Sequence, residues 1–115
     1  MDFNLDDFDF YLVCGKTDMR CGINSLTTRV QHSLKLNLFS KSMFLFCGSS
    51  YKSIKVLLWD DNGFILLQKR LNTGSFKWPK NEEEVKLLKL NDIKLLLSGA
   101  DLWRRIPVLN GEFLV

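Results

Sequence analysis

Two apolar runs rich in branched side chains meet at Asn62-Gly63, and that pair commits the middle of the chain to a β-hairpin. The stretch, residues 54–79, reads Ile-Lys-Val-Leu-Leu-Trp-Asp-Asp-Asn-Gly-Phe-Ile-Leu-Leu-Gln-Lys-Arg-Leu-Asn-Thr-Gly-Ser-Phe-Lys-Trp-Pro. Asn-Gly readily adopts the positive φ angles that a two-residue hairpin turn demands. With those two residues as the loop, Asp61 faces Phe64, Trp59 faces Leu66, Leu57 faces Gln68 and Lys55 faces Arg70. Strand side chains alternate between faces, so Lys55, Leu57, Trp59, Phe64, Leu66, Gln68 and Arg70 share one face. Ile54, Val56, Leu58, Ile65, Leu67 and Leu71 share the other, the better core face. Lys55 opposite Arg70 would be mildly repulsive, which hints at an anionic partner or a nearby carboxylate.

A chain of 115 residues suits one domain, 1–115, with the acidic segment 1–8 and the tail 103–115 expected to be loosely held. Apolar residues at 46% and charged residues at 25% are the balance of a globular protein, not of a disordered one. No run approaches the roughly 18 apolar residues of a membrane span. The acidic start, Met1-Asp2-Phe3-Asn4-Leu5-Asp6-Asp7, is unlike the basic start of a signal peptide. A cytoplasmic location and no membrane partner are therefore expected.

The net charge of +3 conceals a gradient: residues 1–9 carry −4, residues 10–80 carry +8 and residues 81–115 carry −1. A central +8 attracts phosphate or an acidic partner, and the acidic N-terminal segment could screen it. Cys14, Cys21 and Cys47 are odd in number and spaced for neither a disulfide framework nor a zinc finger. They read as reduced thiols, at least two of them buried. His32, the one histidine, falls on the polar side of a helix, and a Cys-His nucleophile pair is a weak alternative to a surface histidine beside structural thiols.

Residues 8–14, ending at Gly15, read as a first strand. Thr17 or Asp18 can cap a helix in which Met19, Ile23, Leu26, Val30 and Leu34 form one apolar stripe. Gly22 either allows a close approach within that helix or precedes its true start, and Asn37 is a plausible stop. Met43-Phe44-Leu45-Phe46-Cys47 is a wholly apolar strand suited to the centre of a sheet. After Pro79 the segment 85–90 is ambiguous between strand and helix. Asn91 then caps a last helix whose Ile93, Leu96, Leu97 and Ala100 share a face, with Gly99 near its end. This order predicts an α+β domain with a mostly antiparallel sheet of four to five strands and two main helices packed on one face.

Chemistry is sparse. Asp60 and Asp61 are ordinary turn residues and poor metal partners for one another, and no phosphate-cradling or dinucleotide signature is present. No enzyme activity, cofactor or metal is expected, although a nuclease built from converging carboxylates is a third alternative. Cations interleaved with rings are the stronger signal. Lys52, Lys55, Lys69, Arg70, Lys77 and Lys80 lie among Tyr51, Trp59, Phe64, Phe76 and Trp78, the pattern of phosphate contacts beside stacking rings. Large aromatics are usually buried, so a core role for Trp59, Phe76 and Trp78 stands beside that reading.

Gly15-Lys16-Thr17-Asp18-Met19-Arg20-Cys21-Gly22-Ile23-Asn24-Ser25-Leu26, Phe44-Leu45-Phe46, Ile54-Lys55-Val56-Leu57-Leu58-Trp59-Asp60, Gly63, Lys69-Arg70-Leu71, Gly74, Phe76 and Trp78-Pro79 occur in an order that resembles one family. It is the small accessory protein, TnpB type, of the insertion-sequence 66 group of bacterial transposons, unrelated to the RNA-guided nuclease that shares that name. The resemblance covers about 14–100. It implies a protein encoded beside a separate transposase and assisting DNA transposition without catalysis of its own. Members typically carry a base where this chain has Cys21, and one or more arginines where it has Cys47, Ser49 and Ser50. The expected DNA contacts are Lys16, Arg20, Lys52, Lys55, Lys69, Arg70 and Lys77, positioning on phosphate rather than reading bases. Trp59, Phe64 and Trp78 are the expected partner-facing residues. The expected partners are the transposase of the same element, double-stranded DNA at the element ends and a second copy of the chain; the alternative is an interaction module or homo-oligomeric scaffold that never touches DNA.

Overall fold

Strand and helix follow one another in the order that the apolar patterning predicts. A computed structural model describes residues 4–81 and 84–99. The strands β1 (Asp9–Val13), β2 (Ser42–Cys47), β3 (Ser53–Asp60), β4 (Gly63–Arg70) and β5 (Val85–Leu88) form one sheet in the order β4-β3-β2-β1-β5. β1 and β2 run parallel, and every other neighbouring pair is antiparallel. The α+β class and the mostly antiparallel sheet are as expected, and the wholly apolar β2 is indeed the central strand, buried along its length. The ambiguous segment after Pro79 resolves as the edge strand β5.

The two helices lie on opposite faces of the sheet, where the sequence suggested a shared face. Helix α1 (Ile23–Thr28) crosses between the parallel strands β1 and β2, and its Leu26 and Val30 just beyond it pack on Val13, Phe44, Phe46 and Leu57. Helix α2 (Leu90–Leu97) follows β5 and packs Ile93 and Leu96 on Phe10, Leu12, Met43, Leu45, Ile54 and Leu58. Strand alternation sends these two residue sets to opposite sides. The physical reason for a double cover is β2 itself: a strand apolar on both faces must be shielded on both.

The sequence offered two starts for α1, and the later one holds: Gly22 caps a helix that begins at Ile23. Arg29–Ser33 continues it as one π-helical turn. Termination comes at Lys35, in the left-handed region with φ 55°, two residues before Asn37, and the Leu36 N–H donates back to the Val30 carbonyl at 3.0 Å. The stripe Met19, Ile23, Leu26, Val30 and Leu34 packs into one core cluster as expected. At α2 the Asp92 carboxylate accepts the Lys89 backbone N–H at 3.2 Å, so the helix starts slightly before Asn91. Gly99 ends it at φ 90°. Ala100 and the tail 103–115 lie outside the described residues.

The hairpin turn sits one residue earlier than Asn62-Gly63. Asp60 pairs with Gly63, leaving Asp61 and Asn62 as the loop, with Asp61 at φ 51°. Aspartate tolerates that conformation, and the shift places Trp59 directly across from Phe64, ring centroids 4.9 Å apart. Because the loop keeps two residues, every side chain stays on its expected face while its partner changes. Lys55 now faces Gln68, and Arg70 faces Ser53, so the anticipated Lys55–Arg70 repulsion does not arise.

Cys14 and Cys47 are buried and Cys21 is half-buried, all as free thiols. Burial pushes the Cys47 thiol up to about 12 and raises Cys14 as well. His32 is exposed. Residues Leu5–Asp7 form a short 3-10 turn, and Asp7 lies 3.8 Å from Lys41.

Candidate functional site

The loop that leaves β1 turns at Gly15, with φ 79°, and returns across the sheet end toward α1. It is fastened at several points. The Thr17 N–H donates to the Cys47 carbonyl at 2.7 Å, and the Thr17 hydroxyl accepts from the Arg29 guanidinium at 2.6 Å. Lys55 rises from β3 beneath the loop and donates its ammonium to the Met19 and Cys21 carbonyls at 2.8 and 2.7 Å. Gly48 permits the close approach: a Cβ there would lie 2.6 Å from Met19 Cγ. On the other side of β1, Trp78 Nε1 donates to the Val13 carbonyl at 3.0 Å, and the Gly15 N–H donates to the Pro79 carbonyl at 2.8 Å.

Above this frame lies an open cleft of about 710 Å³, lined by Lys16, Asp18 and Arg20 from the loop, Ser49 and Ser50 from the β2–β3 turn, and Arg70 from the end of β4. Three cations from two chain segments, the loop and the end of β4, thus face one space with one carboxylate. Arg20 grips Asp18 with paired bonds of 3.0 and 2.7 Å, and those hydrogen bonds hold the Asp18 carboxyl down at about 2. Asp18 also accepts the Arg20 backbone N–H at 2.9 Å, so the pair orders the loop from within. The Arg20 side chain remains 92% exposed.

Of the cations expected at a DNA contact, Lys16, Arg20 and Arg70 converge here. Lys52 is exposed on the same turn as Ser49 and Ser50 without lining the cleft. Lys55 is a correction: at 8% exposure, with its ammonium spent on two carbonyls, it is a fastener rather than a phosphate contact. Lys69 is separated from Arg70 by strand alternation and donates to the Leu97 carbonyl at 3.1 Å at the end of α2, on the opposite face. Lys77 is exposed on the segment after β4, between the buried Phe76 and Trp78.

The partner-facing residues divide likewise. Trp78 is buried and hydrogen-bonded inside the core, which takes it out of any partner surface. Trp59 and Phe64 are half-buried on the α1 face, joined by Phe39, which sequence reasoning missed. Its signal was legible: a large ring beyond the end of the helical stripe, set between Asn37 and Ser40. Among the described residues no three His, Cys, Asp or Glu side chains are grouped to hold a metal ion, so the converging-carboxylate arrangement of a nuclease does not form from them. No helix among them is long and apolar enough to cross a membrane.

A sheet covered on both sides, with a basic cleft at one end, defines a small α+β protein. The family model of the IS66 Orf2-like proteins matches residues 8–106, and the chain belongs to that family, making it an accessory protein of an insertion-sequence transposon. Among curated proteins it is 43% identical over 94 residues to "Uncharacterized protein y4hO" of Sinorhizobium fredii, covering 82% of this chain and 81% of that one. A second protein of the same organism, "Uncharacterized protein y4jC", is 28% identical over 89 residues, covering 77% and 75%. No solved structure matches the chain.

Proposed function

We propose that the chain assists transposition as a non-enzymatic factor that holds DNA of its element through the basic end of the sheet. The observation that carries this reading is the convergence of Lys16, Arg20 and Arg70 on one open cleft, with the Ser49 and Ser50 lining it as well. Cations and hydroxyls set around a groove are the groups that contact a phosphate backbone, and they position a protein without reading sequence. Lys52, exposed on the adjoining turn, extends the basic surface. The frame beneath supports the same reading, because it fastens the loop backbone that carries Lys16 and Arg20, and a preorganised loop loses less entropy on meeting a charged polymer.

Retention of a duplex element end by the full chain, followed as salt rises, tests this. Binding should weaken steeply with salt, and Arg70→Ala or Lys16→Ala should each flatten the log-log slope by roughly one. Lys69→Ala, on the opposite face, should leave the slope unchanged. No retention at low salt, or identical slopes in the Lys16→Ala/Arg70→Ala protein, removes the proposal.

A further inference from the structure

At the end of the sheet opposite the basic cleft, three rings pack together. Phe39 lies 5.0 Å from Trp59 and 5.8 Å from Phe64, centroid to centroid, and Phe39 itself is 56% exposed. Beside them runs a groove of about 320 Å³ that Phe8, Phe39 and Trp59 line together with Asp7, Asp60 and Asp61. Lys41 is the cation in that lining, and it lies 3.8 Å from Asp7. The Asp60 and Asp61 carboxylates have no hydrogen-bond or ion-pair partner among the described residues. An exposed apolar patch rimmed by polar groups marks an interaction surface, and here the rim has a definite sign.

We infer that this groove docks a cationic, arginine-bearing segment of a protein partner. The lining carries three carboxylates against one ammonium, which repels nucleic acid and attracts a basic peptide. The ring faces carry negative electrostatic potential and hold a guanidinium by cation–π contact, while the free carboxylates accept its planar fork. Arginine fits both demands better than lysine, whose ammonium neither stacks nor forks. The concave shape suits an extended segment rather than a flat surface. The groove lies at the end of β3 and the basic cleft at its start, a strand length of roughly 23 Å apart, so the two can be filled together. This inference goes beyond DNA contact at the basic end and does not depend on it.

A labelled peptide of alternating arginine and serine, titrated with the full chain at low salt and read by anisotropy, is the test. Saturable binding is expected, with Phe39→Ala and the Asp60→Asn/Asp61→Asn pair each weakening it roughly fivefold or more, and Arg70→Ala leaving it unchanged. A glutamate-serine peptide should not bind. The inference is overturned by absence of saturable binding, by equal binding in both groove variants, or by loss of binding in Arg70→Ala. A lysine-serine peptide that binds as tightly overturns the arginine assignment. Sedimentation that shows self-association abolished by Phe39→Ala gives the groove to a second copy instead, which also overturns it. Phe39 and Asp61 are exposed and Asp60 is half-exposed, so these variants should fold, and a thermal melt alongside verifies it. Failure of DNA retention at the basic end would leave every one of these outcomes readable.

Discussion

The two ends of the sheet are built on different principles. At the basic end, buried fasteners set the surface: Lys55 under the loop, Thr17 between Cys47 and Arg29, and Gly48 against Met19. At the acidic end the rings of Phe39, Trp59 and Phe64 lean on one another near solvent, and the Asp60 and Asp61 carboxylates are left unpaired among the described residues. Strand direction explains the separation of charge. β1 runs parallel to β2 and β2 antiparallel to β3, so Asp7 ahead of β1 arrives beside the Asp60-Asp61 turn, near Lys41 but at the other end of the sheet from Lys16, Arg20 and Arg70. A basic cleft fastened from below and an acidic groove lined by rings therefore coexist in one small sheet.

Lys55→Ala should break the contrast most severely. Removing a buried ammonium leaves two carbonyls without their donor and a void under the loop, which should cost roughly 2–3 kcal/mol by denaturant unfolding and abolish DNA retention with it. An unchanged midpoint would show that the basic end is not held from below. Next in size, Ser50→Arg adds a cation at a position that lines the cleft. It should strengthen duplex retention several-fold at low salt and steepen the salt slope by roughly one, without changing the melting temperature. No gain in affinity would argue that phosphate does not reach the β2–β3 turn.

A smaller effect concerns pH. The folded Asp18 carboxyl sits at about 2, below its ordinary value of 3.8, because the charged form accepts hydrogen bonds from Arg20. Its contribution to stability is therefore complete above the unfolded value and disappears as pH falls through about 2. Acid titration of wild type against Asp18→Asn should show the two stability curves converging across that window, and parallel curves would deny the Arg20 bonds in solution. Smallest of all, Asp60→Asn/Asp61→Asn should shift stability by no more than about 0.5 kcal/mol, since neither carboxylate is engaged within the described fold. A larger loss would mean that the acidic end is fastened too, and the contrast between the ends would fall.

Much of the fold is legible in local pattern. The apolar stripe of α1, the central β2 and the face partition of the hairpin follow from periods of 3.6 and 2 that need no tertiary knowledge. The partition even survived a turn displaced by one residue, because a two-residue loop preserves parity whichever pair forms it. The candidate site was less legible. Lys55, Lys69 and Arg70 look alike as exposed-type cations on a basic hairpin, yet one is buried, one meets the end of α2 and one faces the cleft. Phe39 and Trp78 show the same limit for rings: the isolated one is exposed, and the one in the basic run is core.

Residue order alone determined the strands and helices other than β5, which side chains share a strand face, and, through the motifs it carries, membership of the IS66 Orf2-like family. Those are properties of neighbours within a few residues. Which face each helix covers, which lysine is buried, and the gathering of Lys16, Arg20 and Arg70 at one end and of Asp7, Asp60 and Asp61 with the rings at the other were decided only in the tertiary structure. They depend on strand direction and on contacts between residues tens of positions apart, whose burial is set by what packs above them rather than by what stands beside them in the chain.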